Sequence, residues 1–175
     1  MKRIVTGLAA ILLTLSAFAQ GGIPILDRVP DHRVLFHYTY SLSQGGKPMT
    51  QVTDGDVIVE DNAYLLTGLG LEVRSDGATR WSLDRDAEEV LIETVEKDDL
   101  FTNPALFLSS YKNYMDKIRV NASTSNSLDV TLVLDEDTSA RFVLKNIVFE
   151  PKQGKSDFTL NVKSLSDSYV ITDLR

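Results

Sequence analysis

The chain reads as a mainly β (α+β) protein, with about eleven antiparallel strands in a curved half-barrel, one central helix and a short N-terminal helix or lead-in. Three observations carry that reading. Short apolar runs alternate with polar residues at a period of two, turn residues punctuate them about every ten residues, and a single stretch has helical spacing.

The chain opens on a segment built for export. Lys2 and Arg3 precede an apolar run, residues 4–15, and the small-residue triplet Ala17-Phe18-Ala19, the three parts of a cleavable secretory signal. The run is shorter than the roughly 20 residues a membrane-spanning helix needs, and Gln20-Gly21-Gly22 follows it in place of a basic stop-transfer cluster. Residues 1–19 are therefore expected to be removed after Ala19. That leaves residues 20–175 as a single soluble, monomeric domain outside the cytoplasm.

Composition narrows the function classes. The 175 residues include 18 basic and 25 acidic side chains, a net charge of −7, and loss of Lys2 and Arg3 takes the balance to −9. That sign argues against nucleic acid and against docking on anionic lipid headgroups. Cysteine is absent, which excludes disulfides, thiol catalysis and a lipid-acylated N-terminal cysteine. Stability must then come from a packed core.

Residues 21–31, with Pro24 and Pro30, leave room for at most about two helical turns. From Val34 the period becomes two: Phe36, Tyr38, Tyr40 and Leu42 alternate with Leu35, His37, Thr39 and Ser41. Strands follow at Val57-Ile58-Val59, Tyr64-Leu65-Leu66, Leu71-Glu72-Val73, Arg80-Trp81-Ser82-Leu83 and residues 90–95. Their turns fall at Asp61-Asn62, Gly68, Asp76-Gly77 and Asp84-Arg85-Asp86. Asn103-Pro104 opens the helix, an N-cap residue followed by proline, with Phe107, Leu108, Tyr111 and Met115 on one side. Further strands are expected over residues 118–121, 128–134, 142–148, 158–162 and 169–171. The sum is a meander that curls into a barrel or half-barrel, with the helix available to plug it.

Residues able to carry chemistry are sparse. His32 and His37 are the two histidines; His37 alternates with the aromatic residues of its strand and reads as exposed, and His32 lies in the proline-flanked lead-in. No acid, base and nucleophile set converges, so no catalytic residue is assigned and a hydrolase is the least favoured class. Asp84-Arg85-Asp86-Ala87-Glu88 lacks the glycine and distant glutamate of a calcium loop, and Gly68-Leu69-Gly70 precedes no helix, so neither a metal nor a cofactor is expected. Asn121-Ala122-Ser123 matches a glycosylation triplet short enough to occur by chance.

What remains is apolar surface. Alternation collects Phe36, Tyr38, Tyr40, Val57, Val59, Tyr64, Leu66, Trp81, Leu83, Val90, Ile92, Leu132 and Phe142, joined by Leu134 and Leu144, on one expected face. That face is either the core of a filled β module, which would bind another envelope protein through its strand edges, or the wall of a ligand cavity. In the second case the thirteen residues named first are the candidate lipid-binding set.

The segment Gly55-Asp56-Val57-Ile58-Val59, Asn62-Ala63-Tyr64-Leu65-Leu66, and Leu71 through Ser75-Asp76-Gly77 to Trp81-Ser82-Leu83-Asp84 resembles the outer-membrane lipoprotein carrier family, the LolA-like proteins. Asn103-Pro104-Ala105-Leu106-Phe107-Leu108 with Tyr111-Lys112 is similar to the start of that family's central helix in its short Bacteroidetes-type members. The resemblance implies a periplasmic half-barrel whose apolar concavity takes the acyl chains of lipoproteins, or another lipid, on the way to the outer membrane. It also implies an inner-membrane release complex and an outer-membrane acceptor as partners. Two features depart from the family: the lead-in before the first strand is short for a lid helix, and Glu60-Asp61-Asn62 stands where proteobacterial carriers place a basic residue and a proline.

Overall fold

The structure is a computed structural model describing residues 22–96 and 103–175; the expected export signal, residues 1–19, lies outside the described residues. The lead-in forms a 3-10 turn, Leu26–Asp31, that buries Leu26 and Val29. In strand β1 (Arg33–Ser43), Val34, Phe36, Tyr38 and Tyr40 are buried and the residues between them are partly exposed. This is the alternation read from the sequence.

The chain then runs as an antiparallel meander through β2 (Thr50–Glu60), β3 (Ala63–Gly68), β4 (Leu71–Ser75), β5 (Thr79–Asp84) and β6 (Glu89–Thr94). Helix α1 (Pro104–Ser110), extended by a 3-10 turn over Tyr111–Tyr114, carries it across to β7 (Ile118–Ser123). It returns through β8 (Leu128–Val133) and β9 (Ser139–Glu150), and β9 pairs with β1. The final strand, β10 (Val170–Asp173), adds to the free edge of β6. One open sheet results, in the order β10-β6-β5-β4-β3-β2-β1-β9-β8-β7.

This corrects the expectation of about eleven antiparallel strands. Among the described residues ten form, and β10 lies parallel to β6, so the sheet is mixed. The segment expected as a strand over residues 158–162 is instead two 3-10 turns, Ser156–Phe158 and Val162–Ser164. Its alternation has another cause. Phe158 is sealed beneath the Arg33 guanidinium, 5.2 Å from its ring centroid, and Leu160 and Val162 lie down on the sheet.

Turn chemistry behaves as the sequence indicates. Asp76 Oδ1 accepts hydrogen bonds from the Ala78 and Thr79 amides, and Asp84 Oδ1 from those of Asp86 and Ala87. At the β3–β4 turn Leu69 and Gly70 both have positive φ, 52° and 79°, as a tight two-residue hairpin loop requires. Gly55 and Gly68 lie so close that a Cβ on Gly55 would meet the Thr67 carbonyl oxygen at 2.3 Å. Two bulges bend the long strands. One residue of β2 is extra opposite Tyr40 and Ser41, and one of β9 opposite the stretch from Leu35 to His37, where Asn146 takes φ 55°. The second bulge lets Leu144 and Ile147, three apart, both be buried.

Each side of the sheet is covered in part. On the helix face, α1 and the lead-in pack on β1–β3, β8 and β9, forming the main core. On the other, the arm face, the segment between β9 and β10 lays Leu160, Val162, Leu165 and Tyr169 over β5 and β6. Residues directly opposite in antiparallel strands share a face. Register runs Val57 to Leu66, Leu66 to Val73, Val73 to Ser82 and Ser82 to Leu91, whereas Trp81 pairs with Ile92 and Leu83 with Val90. The single apolar face expected from the sequence is therefore two: Trp81, Leu83, Val90 and Ile92 belong to the arm face, and the other nine candidates to the helix face.

Candidate ligand-binding cavity

Helix α1 divides the helix face. Its first turn is held by Asn103, whose side-chain oxygen accepts the Leu106 amide at 2.9 Å, so the expected N-cap forms. Phe107 then stacks on Phe142 of β9 at 4.5 Å between centroids, and Phe142 stacks on Tyr40 at 5.2 Å. A void of about 10 Å³ lies between helix and sheet, lined by Phe36, Tyr38, Phe107, Leu108, Phe142 and Leu144 among others. That is no more than the space a single water molecule needs. Over β1, β9 and β8 the face is a filled core.

Beyond the helix, over β1 to β5, the same face opens into a cavity of about 360 Å³. Its inner wall is Tyr38 and Tyr40 of β1, Leu66 of β3 and Val73 of β4; Arg80 and Ser82 of β5 close one side, and Val52, Thr53, Leu69 and Leu71 form the mouth. The mouth is apolar and unusually exposed, with Leu69 at 69% and Val52 at 50% of their full exposure. The β2 bulge and the β3–β4 turn put these side chains there.

The sequence-derived candidates are thus distributed three ways. Tyr38, Tyr40 and Leu66 line the cavity. Phe36, Val57, Val59, Tyr64, Leu132 and Phe142 are sealed in the core, four of them at 1% exposure or less. Trp81, Leu83, Val90 and Ile92 are covered by the C-terminal arm. Val52, Thr53, Leu69, Leu71, Val73, Arg80 and Ser82 were not read as lining residues. A signal for some of them is present in the sequence. Gly68-Leu69-Gly70-Leu71 puts leucines where a turn normally carries polar residues, and Arg80 and Ser82 alternate with apolar neighbours, as residues facing a polar-edged space would.

Ion pairs flank the site and fasten its frame. Arg80 donates two hydrogen bonds to Glu93 Oε2 at 3.2 and 3.0 Å. On the arm face, burial pushes the Glu72 carboxyl up, but hydrogen bonds from Arg85 and Arg74 outweigh it and hold its pKa below the usual range. Arg74 also donates to the carbonyls of Asp157 and Thr159, which ties the arm down. Arg33, 5% exposed, reaches Asp157 at 2.7 Å and Glu60 at 3.8 Å, and Glu60 accepts the amides of Gln153 and Gly154. The lead-in is tied to the helix by Tyr111, whose hydroxyl donates to Asp27 at 2.7 Å; burial first and then Asp27 raise the Tyr111 pKa to about 12.

His37 sits on the arm face between Asp56, 3.0 Å from Nδ1, and Asp54, 3.3 Å from Nε2. The Asp56 hydrogen bond raises its pKa, with Asp54 adding to the effect. The nearby Thr39 hydroxyl donates to Asp54 and not to the imidazole, so the trio lacks a nucleophile activated by its base. Among the described residues no three His, Asp or Glu side chains are grouped to hold a metal ion, and no helix is long and apolar enough to cross a membrane.

No protein-family model matches the chain, and no curated protein matches it. A solved structure described as an uncharacterized conserved protein from Thermus thermophilus is similar, with a TM-score of 0.45 and 9% sequence identity over 86% of this chain and 97% of that one.

Proposed function

We propose that the chain is a periplasmic carrier of the LolA-like type, in which the open sheet is a half-barrel and the cavity beside α1 takes acyl chains of a lipoprotein or another lipid. The observation that carries this reading is the mainly apolar cavity of about 360 Å³ beside α1, with exposed leucine and valine at its mouth. Its volume falls at the lower end of the roughly 300–1,000 Å³ of ligand pockets. Each methylene drawn from water into such a wall contributes about 0.8 kcal/mol, so transport needs dry surface and no bond chemistry. The export signal, the absence of cysteine and the acidic balance fit a protein that leaves one membrane for another. Inner-membrane release and outer-membrane acceptor complexes would be its partners.

The test is to purify the protein from the periplasm and extract it for lipid mass spectrometry. Stoichiometric lipid or acylated peptide is the expected result; an empty protein that also takes up no acyl chain in solution sinks the reading. Trp81 is a poor reporter for uptake, because it lies on the arm face. The filled region beneath α1 supports a second reading, a non-enzymatic envelope interaction module that pairs through its strand edges. A stable protein partner captured with no lipid present favours it.

A further inference from the structure

An open sheet has two edges, and this protein treats its two differently. Among the described residues the sheet ends at β7 on one side and at β10 on the other. Sheet edges carry unpaired amides and carbonyls that can template another strand, so proteins blunt them with bulges and charged side chains. β7 shows both devices. Its pairing with β8 slips between Val120 and Ala122, Arg119 is exposed on it, and its apolar Ile118 and Val120 pack back on the main core. β10 shows neither a bulge nor a lysine or proline. It pairs with β6 in unbroken register from Val170 to Asp173, and the β-branched Val170, Ile171 and Thr172 fill all but its last position. The whole strand is exposed, and Val170, Ile171 and the adjoining Leu174 keep 60%, 46% and 64% of their full exposure.

Backbone direction shows what this edge can accept. The Val170 amide donates to the Glu88 carbonyl and the Leu174 amide to that of Ile92, so Val170, Thr172 and Leu174 turn their backbone groups toward β6. Ile171 and Asp173 therefore turn theirs outward, and the Arg175 amide, which bonds the Asp173 carboxylate, closes the row. The side chains fit a second copy of the same strand. Val170, Thr172 and Leu174 share one face and read alike in both directions, so a two-fold axis at Thr172 sets Val170 against Leu174 twice and Thr172 against itself. On the other face Ile171 lies across from Asp173, whose charge is already met by Arg175 at 2.6 Å. Pairing of β10 with the bulged, charged β7 of another copy would give an open chain of molecules, whereas pairing with itself closes.

We propose that β10 is a homodimer interface, in which two copies of this chain join their sheets through antiparallel β10 strands around a two-fold axis at Thr172. Ile171 and Asp173 of each copy exchange backbone hydrogen bonds across the axis, and the facing Val170 and Leu174 side chains cover each other. An interface this small is weak, so the dimer forms reversibly. It uses no residue of the cavity and does not rest on the carrier reading.

Sedimentation velocity on the protein without residues 1–19, from micromolar to millimolar concentration, should show a reversible monomer–dimer equilibrium that goes no further. Residues of a non-hydrogen-bonded antiparallel pair lie about 4.5 Å apart at Cα, close enough for a disulfide. Because the chain has no cysteine of its own, Thr172→Cys should link to itself under mild oxidation. Val170→Cys and Leu174→Cys should each link poorly alone and readily when mixed. Ile171→Pro removes an amide that faces away from β6, so thermal stability and Trp81 emission should hold while dimerisation weakens about tenfold or more, the axis doubling the loss of one neutral hydrogen bond. If Ile171→Pro does not fold, Leu174→Lys reads the same interface through its side chain alone and should weaken the dimer to a similar degree. A monomer throughout the range, growth past the dimer, a dimer that a folded Ile171→Pro or Leu174→Lys leaves at full strength, or Thr172→Cys linking no faster than Val170→Cys overturns the proposal.

Discussion

Tyr38 and Phe142 show how differently neighbouring aromatic residues on one face serve this protein. Phe142 is enclosed by Phe107 and Tyr40, whereas Tyr38, though buried, also borders the open cavity. Phe107→Ala should therefore cost about 3–5 kcal/mol, the usual loss for a buried phenylalanine, read from urea denaturation. Asn103→Ala should cost about 1 kcal/mol by freeing the Leu106 amide, a small loss that Asn103→Asp restores. His37 adds a pH term. Its folded pKa is raised by Asp56 and Asp54, so its stabilising contribution is fully present below its unfolded value of 6.5 and is lost as pH rises through the higher folded value. The difference in stability between wild type and His37→Gln, followed between about pH 5 and 8, should shrink toward the alkaline end. A flat difference would show that the two aspartates do not act on the imidazole.

At the scale of elements, the C-terminal arm and helix α1 do opposite work on opposite faces. The arm closes the apolar strip of Trp81, Leu83, Val90 and Ile92 and is held by Arg74, by the Arg33–Asp157 pair and by the pairing of β10 with β6. Truncation after Ser164 removes Leu165, Tyr169 and β10, so Trp81 emission should move to the red and the protein should self-associate, since the β6 edge and its apolar strip both become open. Unchanged emission would mean that the arm does not cover Trp81 in solution. Helix α1 leaves part of its face open, because at seven residues before its 3-10 extension it spans only part of a ten-stranded sheet. What it does not reach over β1–β5 is the cavity.

For the whole molecule, the contrast between filled and open regions of one face gives a paired test of the carrier reading. Val73→Asp places a charge at the cavity wall, where it should lower the lipid recovered with the protein while the fold survives. Val59→Asp, at a position with no exposure, should cost several kcal/mol by burying an unpaired charge. Lipid extraction and denaturation on the two variants separate the effects; equal lipid content in Val73→Asp and wild type would argue against this cavity. Much of the architecture was legible beforehand. Alternation located β1 through β6, Asp and Gly residues marked their turns, and Asn103-Pro104 marked the helix start, because these are local properties of backbone and side chain. The relation between strands was not legible. Trp81 and Leu83 alternate as cleanly as Val57 and Val59, but alternation only says that residues two apart share a face, and the turns and pairings between β2 and β5 set which face that is. The apolar residues of the arm look like a strand for the same reason, since packing onto a sheet and pairing within one leave the same local pattern. By itself the sequence determined a mainly β chain with one capped helix, a deep apolar inventory and no cysteine. Only the tertiary structure decided which apolar residues are sealed, which are covered by the arm and which face open space, because that depends on register and on how far a short helix reaches.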